Sequence, residues 1–163
     1  MKAALAILFS AAMVSTSAQA EEIGSVSTVW KLVGPNHKII VEVFDDPDIP
    51  NVSCWVSRPK TGGISGAVGL AEDPSYGSIA CRQRGPIVLS EELKRRLAKE
   101  TEDGGVKVFK ERTSPIFKTM QVTRMYDAQR NTLIYFEWSD KLVEGSPKSS
   151  LSVVVMSPWD QRS

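Results

Sequence analysis

One histidine and two cysteines are all that the sequence offers of the side chains most used for catalysis and metal binding. One His and two Cys cannot make a zinc tetrad. Gly63-Ile64-Ser65-Gly66-Ala67 loosely matches a nucleophile elbow, but that hydrolase order needs a histidine after the serine. The sole histidine is His37, which precedes it and reads as a surface or capping residue at a strand start. The glycine-rich stretch Thr61 to Gly69 lacks the Lys-Ser/Thr ending of a phosphate loop. Ser57-Arg58-Pro59-Lys60 and Lys60-Thr61-Gly62 match two motifs of penicillin-recognising enzymes. Those motifs are distant in the enzymes and share Lys60 here, and Pro59 opposes the helix that the first requires. No catalytic residue and no cofactor is implied. Asp45, Asp46 and Asp48 could offer oxygens to calcium, but Pro47 breaks the loop spacing, so they read as a solvated acidic turn.

Excess charge and a long apolar run are also missing. Once Lys2 is removed with the leader described below, 19 basic residues face 19 acidic ones. A neutral chain is neither a nucleic-acid coat nor a polybasic membrane binder. The longest apolar stretch, Ala3 to Val14, is about 12 residues, short of the roughly 20 that span a bilayer. It follows Lys2 and ends at Ala18-Gln19-Ala20, the small-x-small pattern that a signal peptidase cuts. Residues 1–20 therefore read as a cleaved Sec signal peptide, and 21–163 as a single domain. The expected destination is the periplasm, with no stable membrane insertion after cleavage.

Export sets the reading of Cys54 and Cys81. In an oxidising compartment an even pair usually bridges. The 27-residue separation gives a loop worth about 3–4 kcal/mol on the chain-entropy model. The alternative is a redox pair, although the Cys-x-x-Cys spacing is absent.

Along the mature chain the periodicity is mostly two. Ile39, Val41 and Val43 share one face of a strand, and Ile40, Glu42 and Phe44 share the other. Asn51 to Ser57, Ile79 to Gln83, Val106 to Arg112, Thr119 to Tyr126, Thr132 to Trp138 and Leu151 to Met156 also read as strands, with a hairpin loop at Asp127 to Asn131. Ser90-Glu91-Glu92-Leu93 opens the one helix, about 91–100, and Gly104-Gly105 stops it. Seven or eight strands and one short helix predict a mainly β fold, an antiparallel sandwich or partly closed barrel.

The aromatics Trp30, Trp55, Trp138, Trp159, Tyr76, Tyr126 and Tyr135 are core residues by default, with a ligand pocket as the alternative. Arg124 alternates with Met120, Val122 and Tyr126, which puts a charge on an apolar face. It reads either as a buried ion pair, with Glu137 across the hairpin, or as a ligand anchor.

The order of short motifs is specific. Glu21-Glu22-Ile23-Gly24-Ser25-Val26, Gly34-Pro35-Asn36-His37-Lys38-Ile39 and Val43-Phe44-Asp45-Asp46-Pro47-Asp48 resemble the bacterial CreA family. So do Arg58-Pro59-Lys60-Thr61-Gly62-Gly63, Gly69-Leu70-Ala71-Glu72-Asp73, Val108-Phe109-Lys110 and Val143-Glu144-Gly145-Ser146-Pro147-Lys148. The likeness implies a small exported periplasmic protein of Gram-negative bacteria, whose family name refers to catabolite regulation by association with a carbon-source-responsive two-component system. It carries over no activity. The expectation is a non-enzymatic domain that binds a periplasmic or envelope protein, or a small ligand. The alternatives are a thiol/disulfide redox protein using Cys54 and Cys81, and a purely structural envelope component. Mass spectrometry of the exported protein should find Glu21 at its N-terminus; Met1 retained in a cytoplasmic fraction would overturn the leader assignment.

Overall fold

The computed structural model describes residues 19–29, 37–61, 77–114, 118–139 and 149–159. The leader up to residue 18, Trp30, the glycine stretch 62–69, Tyr76 and the 143–148 motif lie outside them. The first sheet holds β1 (Glu21–Val29), β2 (His37–Asp45), β3 (Val52–Thr61) and β4 (Ser78–Gln83) in chain order. After helix α1 (Glu91–Glu102), the second holds β5 (Val106–Ser114), β6 (Lys118–Asp127), β7 (Thr132–Ser139) and β8 (Ser149–Val155), also in chain order. Every pairing is antiparallel. The mainly β expectation holds, with two four-stranded sheets and a single described helix.

Neighbours in each sheet are consecutive in the chain, so each sheet is a meander, and the β2–β3 and β6–β7 connections are short turns. The β2–β3 turn closes on Asp46, whose carboxylate accepts the backbone N–H of Asp48 and of Ile49, both at 2.9 Å. Asn51 (φ 64°) and Asn131 (φ 48°) take the left-handed positions of the β2–β3 and β6–β7 turns, a conformation asparagine tolerates.

Helix α1 starts where expected. The Ser90 hydroxyl accepts the N–H of Leu93 at 3.1 Å, and Glu91 and Glu92 occupy the first turn. It runs two residues beyond the expected end, to Glu102. Gly104 and Gly105 then take positive φ, with the Gly105 N–H reaching back to the Glu100 carbonyl at 2.8 Å. A Cβ on Gly105 would stand 2.7 Å from the Arg124 carbonyl oxygen, so that position needs glycine for space as well as for φ. Leu97 enters the core, and Thr101 ties the helix to β6 by accepting the Tyr126 N–H at 2.7 Å.

The core lies between the sheets. Phe44 of β2 stacks on Phe109 of β5 with ring centroids 4.5 Å apart. Val52, Cys54 and Val56 of β3 meet Val122, Leu133, Tyr135 and Val154 in the same cluster. Strand β2 shows which of its two apolar faces is inside. Ile40, Glu42 and Phe44 are buried, whereas Ile39 is exposed and Val41 and Val43 are half-buried. Glu42 can face inward because Arg58 lies beside it. Strand β1 has no counterpart among the expected strands. Its residues Glu21 to Thr28 are all exposed, so no alternation marks it, and its pairing with β2 makes it a strand.

The sheets meet along β4 and β8 without a backbone ladder. The N–H of Ile79 donates to Ser150 Oγ at 3.0 Å and the N–H of Cys81 to Ser152 Oγ at 2.7 Å. Serine hydroxyls thus satisfy edge donors that would otherwise be buried unpaired. The outer edge strands, β1 and β5, each carry two register irregularities, which discourage pairing with another chain.

Cys54 and Cys81 sit directly opposite on β3 and β4, both fully buried, with sulfurs at the disulfide distance of 2.07 Å. The purified oxidised protein should titrate no free thiol. Replacing both cysteines with alanine should lower unfolding stability by about 3–4 kcal/mol. Denaturant titration reads this, and an unchanged midpoint would show that the bridge does not stabilise the fold.

Candidate functional site

An open groove of about 470 Å³ lies where the β4–α1 segment passes the chain after β8. One wall is Pro86, Ile87, Val88 and Leu89, and the other is Met156, Ser157, Pro158 and Trp159. Asn131 and Lys94 complete it. Side-chain amides hold both walls in place. Asn51 Nδ2 donates to the Pro86 carbonyl at 2.8 Å, and Gln83 brackets Ser157, donating to its carbonyl at 3.2 Å and accepting its N–H at 3.3 Å. Asn131 backs the second wall through Met156: its carbonyl accepts the Met156 N–H at 3.3 Å.

The groove exposes large apolar side chains beside the polar Asn131 and Ser157. Val88 is 88% exposed and Trp159 is 43% exposed. Leu151, Val153 and Val155 on the outward face of β8 are also exposed, and that strand leads into Met156. The alternation of β8 puts Ser150, Ser152 and Val154 inward, so the apolar outward face is not core. Contiguous exposed apolar surface of this kind marks a contact site more often than a solvated face. Among the described residues, Lys94 is the one cationic side chain lining the groove, and its ammonium donates to Glu91 at 2.8 Å.

The aromatic residues do not converge. Tyr126 and Tyr135 are core residues, while Trp55 and Trp138 are half-buried on β3 and β7. Of the five described, Trp159 alone lines the groove; Trp30 and Tyr76 lie outside the described residues. Pro86 to Leu89 carried no signal in the sequence beyond a short apolar run between a strand and a helix cap.

Arg124 is a buried ion pair, but its partner is not Glu137. The strand register sets Arg124 opposite Tyr135 and Glu137 opposite Val122. The guanidinium instead donates to Asp46 at 2.6 Å, Asp48 at 3.0 Å and Glu100 at 3.1 Å. Tyr135 adds its hydroxyl to Asp46 at 2.7 Å. Burial opposes the Arg124 charge, and Asp46 and Asp48 more than offset it, so its pKa moves up. Burial and then Asp46 push the Tyr135 phenol up as well, which keeps it a donor. The acidic turn is therefore only partly solvated. Asp48 is on the surface, but Asp46 is buried with its oxygens committed to these donors, so the calcium alternative loses its ligand.

Glu137 is 2% exposed, and its Oε2 has no hydrogen-bond partner among the described residues. It presses against Gly77, where a Cβ would come within 2.4 Å of Oε1. Burial raises its pKa, and a hydrogen bond from Ser150 works weakly the other way. Among the described residues, no group of three or more His, Cys, Asp or Glu is placed to hold a metal ion, and no helix is long and apolar enough to cross a membrane.

These features define a two-sheet β domain with an apolar surface groove and buried charge networks. The family model described as CreA protein matches residues 23–159. Protein CreA of Escherichia coli strain K12 is 55% identical over 157 residues, covering 96% of this chain and 97% of that one. Protein CreA of Escherichia coli O157:H7 matches to the same extent. No solved structure matches the chain. The chain belongs to the CreA family.

The Glu137 carboxyl sets a pH dependence whose sign follows from its raised pKa. The neutral acid suits the fold, so its contribution is complete below the unfolded pKa of about 4.3 and is lost as pH rises through the folded value. Glu137→Gln should therefore gain stability over the wild type as pH rises from 4.5 to 8. Denaturant unfolding of both proteins measures that difference, and a difference independent of pH would refute it.

Proposed function

We propose that this chain is an exported, non-enzymatic binding domain of the periplasm, and that it takes its partner or ligand in the groove between Pro86–Leu89 and Met156–Trp159. The observation that carries the reading is Val88, a β-branched apolar side chain almost wholly in solvent opposite a half-exposed tryptophan. Burying a valine and part of an indole on a partner is favourable by about 25 cal/mol per Å² of apolar area. The groove walls are held by Asn51, Gln83 and Asn131, so binding needs little further ordering of the site. Cleavage after Ala20 would leave β1 as the start of the mature domain, residues 21–163. A buried disulfide suits an oxidising compartment. Periplasmic location and a link to catabolite regulation extend the family resemblance to this chain as part of the same proposal.

The redox alternative has less support. A reactive pair needs at least one accessible thiolate, and both cysteines are fully buried. The test is a thermal-shift screen of envelope metabolites together with affinity capture from periplasmic extract, run on the wild type, Val88→Asp and Trp159→Ala. Both substitutions are at the surface and should change stability by no more than about 0.5 kcal/mol. They should abolish a stabilisation that reaches about 2.7 kcal/mol when ligand exceeds Kd a hundredfold. A ligand or partner that binds both variants as well as the wild type would place the site elsewhere. The absence of any ligand or partner would favour a structural envelope component.

A further inference from the structure

The two long sides of the sandwich close by different chemistry. On the β4–β8 side the links are serine hydroxyls to backbone N–H groups, which hold no titrating proton in the ordinary pH range. On the opposite side, β2 and β5 face each other. Their described contacts include the Phe44–Phe109 stack and, two residues further along each strand, Glu42 and Glu111. Arg58 from β3 serves both carboxyl groups. Its Nε and Nη2 donate to the two oxygens of Glu42 at 2.8 and 3.0 Å, and Nη2 also donates to Glu111 Oε1. Arg58 and Glu42 are buried, while Glu111 is partly exposed.

Arg58 Nη2 therefore brings one oxygen of Glu42 and one of Glu111 onto the same nitrogen. Two carboxylates on one guanidinium leave a negative charge uncompensated, and because carboxylates are acceptors only, a direct bond between them requires one proton. We propose that Glu42, Arg58 and Glu111 form a proton-operated clasp: with a proton on Glu111 the carboxyl pair holds edge strand β5 against β2, and loss of that proton loosens β5 while the β4–β8 side stays joined.

The described surroundings fix the direction. Facing Glu111 are Glu42 from β2 and Arg58 and Lys60 from β3. Lys60 is already paired with Glu22 at 3.1 Å, and Glu22 takes Lys38 at the same distance. On the strand of Glu111 itself, Lys110 is exposed and alternates to the outer face. Burial pushes the Glu111 carboxyl up, Arg58 opposes this, and Glu42 adds to it. The clasp is therefore closed below the folded pKa of Glu111 and opens as pH rises through it. Strand β5 is suited to such release, because it ladders on one side only and carries two register irregularities.

Amide hydrogen exchange of the intact oxidised protein between pH 5 and 8, corrected for intrinsic rates, tests the clasp. Protection of Val108 to Glu111 should fall several-fold further with rising pH than that of β6 and β7, which follow only the Glu137 dependence. Glu111→Gln should remove that extra fall in β5, and Glu137→Gln, a buried carboxyl on β7, should leave it. Wild-type β5 protection that falls no further than that of β6 and β7, or an extra fall that persists in Glu111→Gln, overturns the proposal. If Glu111→Gln does not fold, carbon-13 NMR titration of the wild-type Glu111 carboxyl decides: a pKa at the ordinary glutamate value overturns the clasp, and a raised one supports it.

Discussion

Asp46 receives four donors on its two carboxylate oxygens, and the fold converges on it. Two are backbone N–H groups of its own turn, one is the Arg124 guanidinium of β6 and one is the Tyr135 hydroxyl of β7. The turn between β2 and β3 belongs to the first sheet, so this one side chain fastens the first sheet to the second. Arg124 extends the link to α1 through Glu100. Removing one partner of such a pair leaves an uncompensated buried charge, at a cost of roughly 3–5 kcal/mol. The network also sets geometry: Tyr135 must stay protonated to donate, and the turn must hold its Asx geometry to present Asp46 to it.

The charged residues inside the sandwich are distributed by the number of partners each can reach. Asp46 and Arg124 are oppositely charged and nearly saturated with hydrogen bonds. Glu42 and Glu111 share one buried guanidinium, and burial raises the Glu111 carboxyl against the pull of Arg58. Glu137 has a serine and a glycine backbone beside it and no charge partner among the described residues, so neutrality is its most favourable state. Three acidic sites in one core thus show three environments: fully paired, sharing, and unpaired.

Periodicity made much of this architecture legible. Seven strands and the capped helix were readable because their inward residues alternate, or because Ser90 and Gly104-Gly105 bracket the helix. Strand β1 was not, because a strand exposed on both faces has no alternation to read. The inward face of β2 was ambiguous for the opposite reason, both faces being apolar. Glu42 argued against the correct face until its partner Arg58, 16 residues away, is known. The charge of Arg124 on an apolar face signalled a buried pair, but its partner Asp46 is 78 residues distant in the chain. Local hairpin geometry pointed to Glu137 instead. The groove was the least legible feature, since Val88 and Trp159 are 71 residues apart and each looks like an ordinary apolar residue by itself.

Edge protection and apolar exposure divide the surface between them. The outer edge strands β1 and β5 are irregular in register, and β4 and β8 cover each other through Ser150 and Ser152. Strand addition, which needs a regular unpaired edge, is therefore disfavoured on every side. What remains available is side-chain surface: the outward row Leu151, Val153 and Val155, and the groove beyond it. A partner engaging this surface would gain its affinity from buried apolar area and from the fit around Trp159, with few backbone hydrogen bonds. Such binding depends on the walls staying fixed, and those walls are anchored by Asn51, Gln83 and Asn131 from the β2–β3 turn, β4 and the β6–β7 turn. The groove is thus assembled from both sheets, and its geometry depends on the links that join them, the serine bonds between β4 and β8 and the network around Asp46 and Arg124.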